Sequence, residues 1–549
     1  MDYVNCAAAQ GRSRSPVVAR RGVVASSQPL ASWAGLSILM AGGNAADAAI
    51  ATAAALNLVE PMSTGLGGDC FALYYDAVSG QISALNGSGR APAALSIDLL
   101  EKQGLVNHQT HEIADPTHAH TVTVPGACAG WFDLLEKHGS MPMSSVLEPA
   151  ITLAEEGFPV APRCANGWTG GARGLLARTV GGRQLTIDGR APLAGEIFRN
   201  PGLARTFRQI AEGGRDAFYR GDIARRIAAA VQQAGGVMSE SDLATHRSTW
   251  ETPISVSYRD MHVWECPPNG QGITVLLALN ILKGFDVGSM PITSPDRWHL
   301  MIEAMRLAFA DSRWFVADPA FNPAPLQALL SDGYAAQRRA LIDMSRAAAD
   351  VLHGTPAAGS DTVYFSTADA RGNACSFINS IYHGFGSGIV PEGCGFALQN
   401  RGHNFSTHPE HPNALAPGKR PYHTIIPGMI TRSDGTLYGP FGVMGGFMQP
   451  QGHVQVAMAL IDDGCDPQAA LDRPRFCIQP VGAGGVVHLE EGVPADIVPE
   501  LEHRGHRVRA NLSGPARGQF GSGQVIRRGA NGVWWAGSDL RPDGCAMGF

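Results

Sequence analysis

Thr362 is the position whose residue type and setting most suggest chemistry: an Ala/Gly/Ser-rich stretch gives way there to a strand-like alternation. A threonine hydroxyl attacks a carbonyl only if a base takes its proton. Cutting the Asp361–Thr362 bond supplies one, because it leaves an α-amine beside the hydroxyl with a pKa of about 7.7–8.0, near the working pH. A threonine that opens a strand is also an ordinary β-former, so the residue alone leaves both readings open. Other common signatures are missing: G-x-S-x-G, S-x-x-K, H-E-x-x-H and the Walker loop do not occur. His108, His111, His118 and His120 share one polar stretch. Their spacing fits neither H-E-x-x-H nor a zinc finger, and a solvated loop explains them equally well. Gly482-Ala-Gly484 lacks the third glycine of a dinucleotide fingerprint and reads as a turn.

The elements around Thr362 follow from periodicity. Thr362–Asp369 alternates as a strand, Ala370-Arg-Gly-Asn373 is a turn, and Ala374–Ile381 is the returning strand. Hairpins are also expected at Met429–Gly439 and Val525–Ala536, so the last third is β-dominated. Earlier in the chain, Gly22–Ser26 reads as a strand and Leu30–Leu39 as a helix stopped by Gly42-Gly43-Asn44. Ala45–Leu58 is apolar on nearly every side, which predicts a helix buried between layers. Cys70–Tyr75 and Ile82–Asn86 form another hairpin, and helices are expected at Val146–Glu156, Asp222–Ala234 and Asp296–Phe315. Ala347–Asp361 reads as an exposed linker.

The 549 residues carry a net charge of −6 with no basic run, which excludes an obvious nucleic-acid or polybasic membrane footprint. The ten cysteines are scattered, without a C-x-x-C pair, so they read as buried thiols in a reducing compartment. Met1–Arg21 has no apolar stretch typical of a signal peptide, and the longest apolar run is too short to span a bilayer. A cytoplasmic location is the expectation.

A series of ordered blocks then carries a resemblance. They include Ala41-Gly-Gly-Asn-Ala-Ala-Asp-Ala-Ala49, Val59-Glu-Pro61, Gly65-Leu-Gly-Gly68, Val124-Pro-Gly126, the Glu303–Asp311 helix and Asp318-Pro319. In the second half come Thr362 ten residues before Gly372-Asn373, Phe385-Gly-Ser-Gly-Ile389, Asn404-Phe-Ser406, Lys419-Arg-Pro421 and Gly445-Gly446. Over nearly its whole length the chain resembles the γ-glutamyltransferase family of N-terminal-nucleophile (Ntn) hydrolases. The resemblance implies an α+β fold, a four-layer αββα sandwich. It also implies self-cleavage between Asp361 and Thr362, giving an α chain of residues 1–361 and a β chain of residues 362–549 that remain one structural unit. Thr362 would then be the nucleophile, Gly445 and Gly446 the backbone donors to the oxyanion, and Ser380 a hydroxyl bonded to the nucleophile. No cofactor or metal is implied, and family members suggest a dimer of αβ units at most.

The substrate positions depart from the family pattern. Where a γ-glutamyl enzyme carries its carboxylate-binding arginine, this chain has Ser88, with Arg90 two residues later. The family's acceptors for the α-amino group fall on Tyr382, Arg401 and Asn404, and its paired serines on His423 and Thr424. An ammonium needs acceptors, and Arg401 offers only donors. The expectation is therefore a small carboxylate-bearing amide of the oxamate type, with its carboxylate on Arg401, assisted by Arg90 and His423, and Tyr382 shortening the cavity. Arg401 pairing with a buried acid is the structural alternative. A γ-glutamyl hydrolase or transpeptidase acting on glutathione, a cephalosporin-type acylase, and a non-enzymatic protein binding metal through its His loop are the other readings. A short Phe405–Lys419 segment implies an open site that favours hydrolysis over transfer.

Overall fold

Alternate side chains of the central strands enter two different apolar layers. In the strand Asp361–Ala368, Val363 and Phe365 join one buried cluster while Tyr364 and Ala368 join another. Asp69–Asp76 behaves likewise, with Cys70, Ala72 and Tyr74 on one side and Phe71, Leu73 and Tyr75 on the other. A period of two with both faces apolar places a sheet between two covering layers.

The computed structural model describes residues 14–348, 361–480 and 484–549. The first sheet runs in the order Cys545–Gly548, Val23–Ser26, Asp361–Ala368, Ala374–Tyr382, Asp69–Asp76, Gln81–Gly87 and Thr249–Glu251. The second runs Val17–Ala19, Trp534–Ser538, Ser522–Arg528, Leu437–Met444, Gly428–Arg432, Met261–Glu265 and Ile254–Tyr258. Both are antiparallel throughout. Phe71, Tyr364 and Ile378 of the first sheet meet Met429, Ile526 and Trp534 of the second in a shared core.

Helices cover the two outer faces. Ala45–Val59, buried at every residue, lies on the first sheet among Pro29–Met40, Ala127–His138 and Met143–Glu156. Gly272–Leu282, Pro295–Phe315 and Met448–Ile461 cover the second. The architecture is the four-layer αββα sandwich that the family resemblance implied. Among the described residues no helix is long and apolar enough to cross a membrane.

Local chemistry fixes the elements next to Thr362. Gly42, at φ +97°, ends the first helix in the left-handed conformation. Asn44 then accepts from the Ala46 and Asp47 N–H groups while the Asp47 carboxylate accepts from Asn44 N–H, a reciprocal cap that starts the buried helix. Asp369, in the turn of the Thr362 hairpin, accepts from the N–H groups of Arg371 and Asn373 and from Ala45 N–H at 3.1 Å, tying the turn to that helix start. The expected hairpins near 429–439 and 525–536 are present. Of the Ala347–Asp361 linker and the Gly482-Ala-Gly484 turn, residues 349–360 and 482–483 lie outside the described residues.

Candidate active site

Thr362 is 2% exposed in the middle of the first sheet. Across the hairpin Val363 pairs with Asn379 but Asp361 pairs with Tyr382, so Thr362 alone faces both Ser380 and Ile381. That bulge, together with a left-handed φ of +80° at Tyr382, re-aims the strand ends. It leaves Thr362 Oγ1 3.1 Å from Ser380 Oγ. Ser380 Oγ also accepts from Tyr382 N–H at 2.9 Å and from Arg401 Nη2 at 3.0 Å. Either hydroxyl can donate across that contact. A Ser380 hydroxyl that donates to Thr362 Oγ1 favours that oxygen when it carries negative charge.

Arg401 is fully buried in the short turn Arg401–Asn404. Besides Ser380, it donates from Nη1 to Thr424 Oγ1 at 2.6 Å, and its Cζ lies 4.5 Å from the Tyr382 ring centre. Its Nε is buried with no hydrogen-bond partner among the described residues. Burial pushes its pKa down to about 10 against the opposing pull of Asp69, so it stays cationic at neutral pH.

Asp69 is the buried acid behind this cluster. Its Oδ1 accepts from Gly89 N–H, Gly126 N–H and Gln399 Nε2 at 2.9, 3.1 and 2.9 Å. Its Oδ2 lies 3.0 Å from His423 Nε2. Burial pushes its carboxyl up to about 6, with Arg401 the strongest opposing influence. His423 Nδ1 accepts from Ile425 N–H at 3.3 Å, which assigns the ring proton to Nε2 and makes Asp69 its acceptor. Burial, then Arg401 and Arg420, hold the imidazole well below its usual pKa and therefore neutral.

Gly445 and Gly446 join the strand Leu437–Met444 to the helix Met448–Ile461, at φ +122° and +57°. The Tyr364 ring packs so closely on Gly442 that a Cβ there would sit 2.5 Å from it. The strand leading into the glycine pair therefore lies against the strand that carries Thr362. Gly445 C=O accepts from Met448 N–H, so the Gly446 N–H of the same trans peptide points away from the helix. Gln271 Nε2 donates to Gly446 C=O at 2.9 Å and to Thr424 C=O at 2.6 Å, while its Oε1 accepts from the Tyr422 hydroxyl at 3.0 Å. One buried amide thus couples the glycine loop to the segment carrying His423 and Thr424.

Residues 31–549 match the family model described as gamma-glutamyltranspeptidase. The chain belongs to that family. It is an Ntn-type hydrolase. Among its gamma-glutamyltranspeptidase-family relatives, a glutathione hydrolase-like YwrD proenzyme of Bacillus subtilis is 37% identical over 97% of this chain and 99% of its own length. The oxamate amidohydrolase proenzyme of Klebsiella pneumoniae is 32% identical over 97% and 99%. A solved structure, the cephalosporin acylase from Bacillus halodurans, superposes with a TM-score of 0.91 at 45% identity, covering 100% of this chain and 99% of that one.

Within this gamma-glutamyltranspeptidase fold, the positions singled out in the sequence do not all converge. Thr362, Ser380, Tyr382, Arg401 and Thr424 form one contact network, with His423 joined through Asp69. His423, engaged at both ring nitrogens, offers no donor to a substrate carboxylate and sits behind Arg401 as support. Arg90 donates to the Arg247 carbonyl at 3.2 Å and makes no hydrogen bond to the cluster among the described residues. Ser88 is buried and receives Asn269 Nδ2 at 3.0 Å, next to Gly89 but outside the Thr362 network. Asn404 lines a neighbouring cavity of about 420 Å³, and residues of the Phe405–Lys419 segment form part of its wall. Among the described residues the four loop histidines form no group of three that could hold a metal ion: His108 faces Glu101, His111 packs on His408, His118 accepts from His120 N–H, and His120 bonds Gln103. Asp69, Gln271 and Gln399 were not apparent as site residues. The signal for Asp69 was an acid heading the otherwise apolar run Cys70–Tyr75, which only a paired or hydrogen-bonded setting tolerates.

Proposed function

We propose that the chain is a proenzyme that cuts itself before Thr362 and then hydrolyses the amide of a small carboxylate-bearing substrate through a threonyl ester. In the processing step Thr362 Oγ1 attacks the Asp361 carbonyl, the acyl group moves from nitrogen to oxygen, and water opens the ester. The new α-amine becomes the base. In each turnover it takes the hydroxyl proton as Oγ1 attacks the substrate carbonyl, gives it to the departing nitrogen, and then activates the water that releases the acid. Ser380 donates to the attacking oxygen, and the Gly445 and Gly446 N–H groups stabilise the tetrahedral oxyanion. Val23–Ser26 and Asp69–Asp76, both upstream of the cut, flank the Asp361–Ala368 and Ala374–Tyr382 hairpin in one sheet, so the two chains have reason to stay together.

The observation that carries the substrate reading is Arg401: a fully buried cation, two hydrogen bonds from the nucleophile through Ser380, with an Nε donor that has no partner among the described residues. A carboxylate close to the scissile amide satisfies it. A glutamyl ammonium has no comparable acceptor there, because Asp69 already takes four donors. Oxamate is the simplest amide of the favoured kind. The likeness to a cephalosporin acylase supports a second reading, an acylase acting on a larger amide that carries such a carboxylate.

N-terminal sequencing of the purified small fragment tests the nucleophile. Thr362 must be its first residue, and Thr362→Ala must run as one chain without turnover. Oxamate and glutathione assayed side by side test the substrate: glutamate release without ammonia release from oxamate would reject the carboxylate-on-Arg401 reading.

A further inference from the structure

Gln271 stands at the start of the helix Gly272–Leu282, where a polar side chain ordinarily turns back to cap its own helix, yet it makes no such bond. The side chain is fully buried and runs instead to two segments far along the chain. Burying an amide and fixing its rotamer both cost free energy, a cost that its partners have to offset.

Those partners divide unequally. Residues 269–271 clasp residues 421–424: Asn269 Nδ2 donates to Pro421 C=O at 2.7 Å, His423 N–H to Asn269 C=O at 2.8 Å, and Gln271 N–H to His423 C=O at 2.9 Å. Two of the three side-chain bonds of Gln271 stay within this clasp, from Nε2 to Thr424 C=O and from the Tyr422 hydroxyl to Oε1. The third leaves it for Gly446 C=O at 2.9 Å. Two carbonyls and a hydroxyl are satisfied by one planar group that carries two N–H donors and an acceptor, as Gln does and Glu, Met or Leu does not.

Gly446 needs such a hold. With no Cβ at 445 or 446, hydrogen bonds must limit rotation of the peptides there. The bond from Met448 N–H to Gly445 C=O, at 2.9 Å, fixes the peptide before Gly446. The peptide after it is held by Gln271 Nε2 and, at the longer 3.2 Å, by Gln449 N–H. Fixing both peptides sets φ and ψ of Gly446, and with them the direction of its N–H. The same clasp carries Thr424, whose Oγ1 accepts from Arg401 Nη1. Gln271 thus stands between the guanidinium that suits a substrate carboxylate and the N–H groups that suit the oxyanion.

We propose that Gln271 is a positioning residue that holds the glycine loop in register with Arg401, so that one bound substrate meets the guanidinium and the oxyanion donors together. It acts through Gly446 rather than by touching the reacting atoms. The inference rests on the Thr362 amidohydrolase reading and adds to it the group that aligns the oxyanion donors.

The test replaces oxygen by sulfur at the scissile carbon. Sulfur is a weak hydrogen-bond acceptor and sits farther from carbon, so well-aimed N–H groups favour the oxygen substrate in the transition state. Oxamate and γ-glutamyl anilide, each as amide and thioamide, are given to processed wild type, Gln271→Met, Gln271→Glu and Tyr422→Phe. Released ammonia or aniline gives kcat and KM. In the acyl series that is turned over, Gln271→Met should lower kcat for the amide about tenfold or more, with KM within about twofold. The amide-to-thioamide ratio of kcat/KM should fall about threefold or more. Gln271→Glu keeps the shape and should not restore that ratio. Tyr422→Phe, which releases Oε1, should shift it the same way by less. Both substrates meet the same preparation, so a misfolded or unprocessed fraction cancels from the ratio, and comparison between variants cancels the intrinsic reactivity of the thioamide. A ratio unchanged in Gln271→Met, or a rise in KM at constant kcat, overturns the inference while leaving the amidohydrolase reading standing. Should the Gln271 variants show no turnover, Tyr422→Phe carries the decision: an unchanged ratio overturns the inference and a lowered one upholds it. If the fragment beginning at Thr362 forms and wild type hydrolyses neither series, the amidohydrolase reading fails and the inference fails with it.

Discussion

His423 donates from Nε2 to Asp69 Oδ2 across 3.0 Å, and neither side chain reaches solvent. Both partners are shifted toward their neutral forms, the imidazole downward and the carboxyl up to about 6. The pair is therefore a hydrogen bond between a neutral ring and an acid that ionises late, rather than a salt bridge. It sits directly behind the Arg401 cation.

The first prediction follows from that titration. In an unfolded chain an aspartate titrates near 4, so the folded state holds the Asp69 proton more tightly between about pH 4 and 6. The contribution of this group to stability is greatest below that window, declines as pH rises through it, and is constant above it. Asp69→Asn removes the titration. The difference in Tm, wild type minus variant, should thus fall between pH 4 and 6 and then level off. A difference that stays flat or rises over this range counts against the assignment.

Ser380→Ala tests the direction of the hydroxyl bond. If Ser380 donates to Thr362 Oγ1 as charge develops there, its loss raises the barrier without weakening ground-state binding. The expected result is a fall of about 10- to 100-fold in kcat with little change in KM, the size of one hydrogen bond to a charged group. Processing should slow in parallel, because the same oxygen attacks Asp361. A rise in KM at unchanged kcat would give Ser380 to substrate binding instead.

Gly445→Ala probes the glycine loop. At φ +122° an alanine is strained, and its Cβ would lie 3.2 Å from Gly521 Cα. The Gly445 and Gly446 N–H groups should swing out of line, lowering kcat about 10²–10³-fold, as loss of an oxyanion donor does elsewhere. The Tm should drop by only a few degrees, since the change is confined to one loop. Unchanged kcat with a lowered Tm would reduce the pair to a structural turn.

What the sequence revealed was what depends on neighbours along the chain. The Thr362 hairpin was readable because alternating residues end at Ala370–Asn373, and the buried Ala45–Val59 helix because apolar residues occupy every face between two glycines and a turn. Contacts set by sheet pairing were hidden. Asp69 reaches the site because its strand pairs with Ala374–Tyr382 in the register that puts it opposite Ser380, a relation that no local pattern encodes. Proximity in sequence misled in the opposite direction. Arg90 stands one residue before the matching Ala91-Pro92, yet its side chain turns toward Arg247. Tyr382 came from the resemblance, but its role as the ring beneath Arg401 needed the strained backbone that only the fold imposes.

Arg401 and Asp69 offer the sharpest separation of charge balance from substrate binding. Arg401→Met leaves the Asp69 carboxyl without its strongest stabilising charge, so its pKa should climb above 6 and stability should fall, by up to about 3–5 kcal/mol near neutral pH. Asp69→Asn leaves the Arg401 cation buried without its counter-ion and should also destabilise. Combining the two removes both charges. The double variant should therefore be at least about 1 kcal/mol more stable than the sum of the single effects predicts, measured by urea unfolding at neutral pH. Activity should behave differently. If Arg401 holds the substrate carboxylate, hydrolysis lost in Arg401→Met stays lost in the double variant, even as stability returns. Recovery of turnover together with stability would mean that Arg401 serves only to balance Asp69, and the substrate carboxylate would have to be bound elsewhere.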